Sequence, residues 1–397
     1  MLRTRICILA AALWLCSPIV GAEKHLSSSC EPIDNNADDR ATLAWRLFAC
    51  LNSPKGNQHE QPVVYWETWP SPLDLYCDDK GKSCDPRTKP KRNKWAPGIQ
   101  LEPIQQELRF LAETPAEIST ASKENLKATD STSSRVDAQE DGQEVRLNDK
   151  VFDYVADHDL WYLQGQQRAF LKDQISFPAG AIEVKAYWVL VDAAQKTRYL
   201  WRRTQDGRFL GLIALSIAAK TQPRWFWATF EHVDNPKRCA YTPCNSKFST
   251  ISGANDTIQL GLSAKLLAIL QEEGLDTASH QWWLNYRLHD SQTDFDTPRV
   301  LGNSVLEARF KDLTSCMTCH SRAARDFEGH PLAITNGAGG GFTGNPVRSW
   351  FCDESDKRKV LTLDYVWSLA RANPVKGLPP PTLQESPPCG TFEWLPH

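Results

Sequence analysis

Positive charge is not in surplus, methionine is almost missing, and no late apolar run is long enough to cross a bilayer. The 397 residues carry 45 Lys and Arg against 48 Asp and Glu, a formal net charge of −3. That balance excludes the basic footprint of a nucleic-acid binder. A membrane-spanning helix needs about 20 apolar residues, and the best run, Ile6 to Leu15, is too short and is followed by Pro18. The expectation is no integral membrane span. The two methionines are Met1 and Met317, so a thioether is scarce wherever a metal would need one. Aromatics, by contrast, are plentiful: 15 Trp and 15 Phe can fill ordinary cores or wall in a flat cofactor.

The N-terminus has the form of a secretory leader. Arg3 and Arg5 precede the apolar run, and Val20-Gly21-Ala22 offers small residues for cleavage before Glu23. Leu15 before Cys16 is too bulky for a lipoprotein site. The mature chain is therefore expected to be exported, periplasmic or otherwise outside the cytoplasm. Of 12 cysteines, Cys7 and Cys16 leave with the leader, and Cys316 and Cys319 share a motif described below. The other eight suit disulfides in an oxidising compartment, and lack the Cys-x-x-Cys spacing of zinc sites. Short loops close most easily, which suggests Cys30–Cys50, Cys77–Cys84, Cys239–Cys244 and Cys352–Cys389.

Composition divides the chain into five parts: a signal peptide (1–22), an N-terminal region (23–112), a polar linker or mobile loop (113–149), a mixed region with an antiparallel sheet (150–299) and a C-terminal segment (300–397). Helices are expected at 41–51, 104–112, 151–171, 263–274, 303–325 and 361–372. Period-two alternation marks strands at 182–190, 225–232 and 282–288, and 209–218 reads as a central strand. The expected fold class is α+β, an antiparallel sheet region with a helical C-terminal segment.

One motif carries chemistry. Cys316-Met317-Thr318-Cys319-His320 is Cys-x-x-Cys-His, whose two thiols reach one edge of a porphyrin while the adjoining imidazole falls under the iron. The expected cofactor is one covalent haem c, with Cys316, Cys319 and His320 binding it and His320 as proximal iron ligand. The competing readings are a thioredoxin-like redox pair and a local disulfide. The stretch 339–344 fits G-x-G-x-x-G, but no strand precedes it and Asn345-Pro346 follows. Gly81-Lys82-Ser83 lacks the earlier glycine of a phosphate loop, and the acids Asp153, Asp157 and Asp159 read as solvated helix charges.

With the motif stand AWRLFACLNSP (44–54), VVYWETW (63–69), FDYVADHDLWYLQGQ (152–166), IEVKAYWVL (182–190), RWFWATFEHVDN (224–235) and LDYVWSLARA (363–372). In this order they resemble a family of bacterial exported monohaem cytochrome-c-like proteins of largely undefined function. The resemblance touches most of the chain outside 113–149. It implies haem and export without naming a substrate, and makes the C-terminal segment cytochrome-c-like.

A distal methionine is excluded, since Met317 lies inside the haem-binding loop. His232, on the strand face of Phe226 and Phe230, is the first candidate for the distal iron ligand, and His330 the second. His289 lies on the polar face of its strand and ranks lower, as do the histidines of loops and termini. An open site, and Lys or Tyr ligation, stay in play. Electron transfer with an unidentified redox partner protein is the first functional reading. The alternatives are a haem enzyme or small-ligand sensor with an open distal site, and a scaffold that docks another redox protein.

Overall fold

A computed structural model describes residues 30–31, 39–58, 61–76, 88–91, 102–103, 142–172, 174–204, 207–235, 264–273, 275, 281–295, 301–307, 314–332, 344–390 and 392. The strands are β1 (Pro54–Gln58), β2 (Gln61–Val64), β3 (Glu102–Pro103), β4 (Gly142–Leu147), β5 (Ile182–Val191), β6 (Trp201–Arg203), β7 (Phe209–Ala219), β8 (Phe226–His232), β9 (Tyr286–Gln292), β10 (Ala324–Arg325) and β11 (Leu361–Thr362). The helices are α1 (Arg40–Leu51), α2 (Pro72–Leu75), α3 (Asp149–Asp157), α4 (Leu163–Lys172), α5 (Ala264–Glu272) and α6 (Cys316–Ser321).

Seven strands form one sheet in the order β3-β4-β5-β7-β8-β9, with β6 also on β7. Every pairing is antiparallel. The fold is thus α+β with an antiparallel sheet, as the alternating residues required. Alternation sends successive side chains to opposite faces. Val184, Ala186, Trp188, Leu215, Ile217, Phe226, Ala228, Phe230 and Leu288 enter one core, which α1 covers with Trp45, Leu47 and Phe48. Ala218, Trp225 and Trp227 enter a second core beneath α3 and α4, shared with Met317, Leu361, Tyr365 and Leu369 of the C-terminal segment. The motif therefore packs on one particular face of the sheet.

Four expectations need correcting. The polar stretch 113–149 ends in a strand, β4, which is buried along its whole length. Charge is accommodated there by pairing: Arg146 bonds Glu144 side on and donates to the Trp69 carbonyl at 2.8 Å, while Trp188 Nε1 donates to Glu144 at 2.8 Å. The single helix expected at 151–171 is two, because Asp159 turns left-handed (φ 58°) between them. Gly165 admits that turn: a Cβ there would lie 1.7 Å from the Asp159 carbonyl oxygen. The strand expected at 282–288 begins at Tyr286, after a 3-10 turn over Gln281–Asn285. In the C-terminal segment, α6 is the one α-helix among the described residues of 303–325, and 361–372 is β11 followed by a 3-10 turn at Trp367–Arg371.

Cys30–Cys50 and Cys352–Cys389 are disulfides, as sequence proximity suggested. Cys77, Cys84, Cys239 and Cys244, and the helix expected at 104–112, lie outside the described residues. Among the described residues, no helix is long and apolar enough to cross a membrane.

Arg146 and Glu144 have side chains 0% and 1% exposed. Removing one member of a buried pair strands the other charge, at about 3–5 kcal/mol. Glu144→Ala should therefore lower the unfolding free energy by about that amount in urea denaturation, and more than Glu144→Gln, which keeps an acceptor for Arg146 and Trp188.

Candidate functional site

α6 is little more than one turn, and its start is fixed by Ser315. The Ser315 hydroxyl accepts from the Thr318 amide at 3.2 Å and donates to Thr318 Oγ1 at 2.8 Å, and Thr318 Oγ1 donates to the Gly344 carbonyl at 2.6 Å. Residues three and four apart share a helix face. Cys316, Cys319 and His320 therefore stand together, half-buried, while Met317 is fully buried on the other side. The Met317 amide donates to Gln292 Oε1 at 3.2 Å, tying the turn to β9. Met317 faces the protein core, in keeping with its exclusion as a distal ligand.

Neither thiol of the motif is in a disulfide. Burial pushes the Cys316 thiol well up and the Cys319 thiol to about 11, with Glu307 reinforcing both shifts. A thioredoxin-like pair needs the opposite, a thiolate stabilised by positive surroundings. The geometry offers two protonated thiols beside an imidazole.

His320 is oriented from two sides. Its Nδ1 lies 2.7 Å from the Tyr365 carbonyl oxygen, which can only accept, so Nδ1 carries the proton and Nε2 the lone pair. Metal-ligating histidines characteristically have their other nitrogen held in this way. The Trp227 ring packs 4.4 Å from the imidazole, centre to centre. The Tyr365 carbonyl arrives by an unusual route. Leu363 N donates to the Ala323 carbonyl at 2.7 Å, β11 pairs with β10, and the chain then passes through Asp364 (φ 46°) and Tyr365 (φ 70°). Two consecutive left-handed residues, one of them a tyrosine, are strained and need their surroundings to hold them.

The first distal candidate is corrected. His232 shares the sheet face of Phe226 and Phe230, as its alternation implied, but His320 packs on Trp227, whose side chain leaves by the opposite face. Both His232 nitrogens are also engaged. Nε2 donates to the Arg198 carbonyl at 3.0 Å, Nδ1 accepts from the Asp234 amide at 3.1 Å, and the ring stacks on Tyr199. His232 is a satisfied core histidine. His330 sits in an exposed turn, 3.0 Å from Asp326. His25, His59, His280 and His397 lie outside the described residues.

Sequence reasoning ranked His289 below both His232 and His330. The register of β8 on β9 passes from Thr229↔Asp290 to Phe230↔Leu288, leaving His289 as the extra residue of a bulge. Bulges re-aim side chains and gather near functional sites. His289 is 3% exposed, neither ring nitrogen has a hydrogen-bond partner among the described residues, and Nδ1 stands 4.0 Å from Glu231 Oε1. Glu231 is four residues from Trp227 on β8, so His289 lies over the same face as His320. No sequence pattern marks the bulge.

No family model, curated protein or solved structure matches the chain.

Burial holds His232 neutral, lowering it from 6.5 to about 4 despite its hydrogen bonds. The unfolded chain therefore takes up that proton first. The stability this supplies is complete above about pH 6.5 and is lost as the pH falls toward 4, on the order of 3 kcal/mol in all. Chemical denaturation of wild type and His232→Gln between pH 4 and 7 should show a shallower pH dependence in the variant. Equal slopes would mean that His232 is not the buried neutral group.

Proposed function

We propose that the chain is an exported c-type haem protein, passing electrons through one haem covalently held by Cys316 and Cys319 with His320 as its proximal ligand. The observation that carries the reading is the hydrogen bond of His320 Nδ1 to the Tyr365 carbonyl, which puts the proton on Nδ1 of an imidazole on the helix face that also bears both thiols. The residues fit the group: two thiols outside any disulfide, an imidazole in the required tautomer, and a tryptophan packed against that imidazole. The resemblance to exported cytochrome-c-like proteins supports the same reading, and makes 300–397 the haem-bearing segment. The disulfides Cys30–Cys50 and Cys352–Cys389 accord with an oxidising compartment outside the cytoplasm.

Bound haem supplies a one-electron iron couple. Cys316 and Cys319 would fix one porphyrin edge as thioethers, and His320 would present Nε2. Carriage of electrons asks for a sixth ligand, and His289 is the described sheet histidine on the correct face. The partner in this reading is another redox protein.

A second reading, a haem enzyme or small-ligand sensor with an open distal site, draws on the same sheet face. Glu231, Asp290 and His289 form a buried polar group there, with the His289 imidazole held neutral by burial. Such groups suit proton exchange with a bound ligand.

The two readings separate on carbon monoxide. Protein made with a c-type maturation system, reduced and exposed to the gas, should keep its spectrum if it is a six-coordinate electron carrier. His289→Ala should then open the site, whereas His232→Ala should not. Rapid binding by the wild type would establish the open site instead. The variant carrying both Cys316→Ala and Cys319→Ala should lose its haem to acid–acetone, and retention by that variant would remove the thioether assignment.

A further inference from the structure

Lys220 stands just beyond β7 and is 8% exposed. Its Nζ donates to both oxygens of Asp364, at 2.8 and 2.7 Å. The carboxylate also accepts from the Phe177 amide at 2.7 Å and from Trp225 Nε1 at 3.3 Å. Four donor contacts thus converge on one buried side chain, from the end of β7, from the turn before β8 and from the segment leading into β5. Asp364 is the residue before Tyr365, and the carbonyl of Tyr365 is the acceptor for His320 Nδ1.

The stretch 364–365 would not rest in this shape unaided. Consecutive positive φ angles at Asp and Tyr are strained, and persist only where the surroundings over-determine them. Here those surroundings are the ladder of β10 with β11 on one side and the Lys220–Asp364 ion pair on the other. A buried ion pair is weak evidence for stability as such, since an apolar pair of similar volume is often as good. Its placement is the informative feature: it fixes the backbone one residue from the atom that orients the ligand histidine.

We infer that Lys220 and Asp364 are positioning residues, which clamp the Tyr365 carbonyl onto His320 Nδ1 and so set the donor strength of the imidazole toward iron. The inference rests on the haem reading above. An imidazole held by a strong Nδ1–H···O bond is a better electron donor. It therefore favours ferric over ferrous iron. Weakening the clamp should shift the one-electron equilibrium toward the ferrous form.

The sign of that shift distinguishes positioning from simple charge. Asp364→Asn removes a negative charge and Lys220→Met a positive one, so through-space electrostatics moves the potential in opposite directions. Loss of positioning moves both the same way. The full-length holoprotein is first shown to keep its haem through acid–acetone, and the midpoint potential is then measured for both variants, for the double variant and for Lys220→Arg. The double variant buries no unpaired charge, which spares it the cost that each single variant carries. The expected result is an upward shift in Asp364→Asn, Lys220→Met and the double variant, worth about tenfold in the equilibrium or about 59 mV. Lys220→Arg, which can still bridge to Asp364, should stay within about twofold of wild type. Proton resonance of the reduced protein should also show the His320 ring N–H exchanging faster with solvent in the double variant. Opposite shifts in the single variants with none in the double, or no shift at all, would overturn the clamp while leaving haem in place. A wild type without covalent haem would overturn the haem reading itself, and the clamp's role with it.

Discussion

The 2.7 Å hydrogen bond between His320 Nδ1 and the Tyr365 carbonyl is the contact on which the rest of the site depends. It settles which nitrogen of the imidazole holds a proton, and therefore which can meet a metal. It also joins two segments 45 residues apart, the motif turn and the strained corner after β11. Neither segment is regular enough to hold a position alone. α6 has six residues, and β10 and β11 have two each. The large sheet beneath supplies the rigidity, through Trp227 against the imidazole, Gln292 against the Met317 amide and Lys220 against Asp364.

That division of labour gives the two faces of the sheet different partners. The face of the sheet turned from the motif is packed with Phe226, Phe230, Trp188 and Leu215 under α1. The face toward the motif carries buried polar side chains, among them Glu231, His289 and Asp290. Burying such groups is costly unless they are bonded. The Ser304 amide donates to Glu231 at 2.6 Å, whereas His289 has no hydrogen-bond partner among the described residues. Buried polar side chains stand on both faces, Glu144, Arg146 and His232 on the α1 side and Glu231, His289 and Asp290 on the motif side.

Much of the fold was legible in the sequence, and the exceptions have physical causes. Alternation identified β5 in 182–190 and β8 in 225–232, and the nearly continuous apolar run of 209–218 identified β7 as a central strand. The same alternation put His232 correctly beside Phe226 and Phe230. It could not tell that the motif would pack on the other face, which depends on tertiary placement of residues far along the chain. β4 was hidden because Gln143, Glu144 and Arg146 look solvated until their partners Trp69 and Trp188 are in place. The C-terminal helices were overread because a helical pattern at 361–372 says nothing of Asp364 and Tyr365 turning left-handed. Cys316, Cys319 and His320 were legible because their spacing is local, whereas Lys220, Trp227 and Tyr365 act by contacts only the folded chain creates.

Thioether bonds from Cys316 and Cys319 to haem would be visible in the mass of a single peptide. Mature protein from a host with c-type haem maturation should yield a proteolytic peptide across Cys316–His320 carrying the mass of one haem, with both cysteines protected from alkylation before any reduction. The same peptide without haem, its cysteines either alkylated as free thiols or joined to each other as a disulfide, would contradict the account.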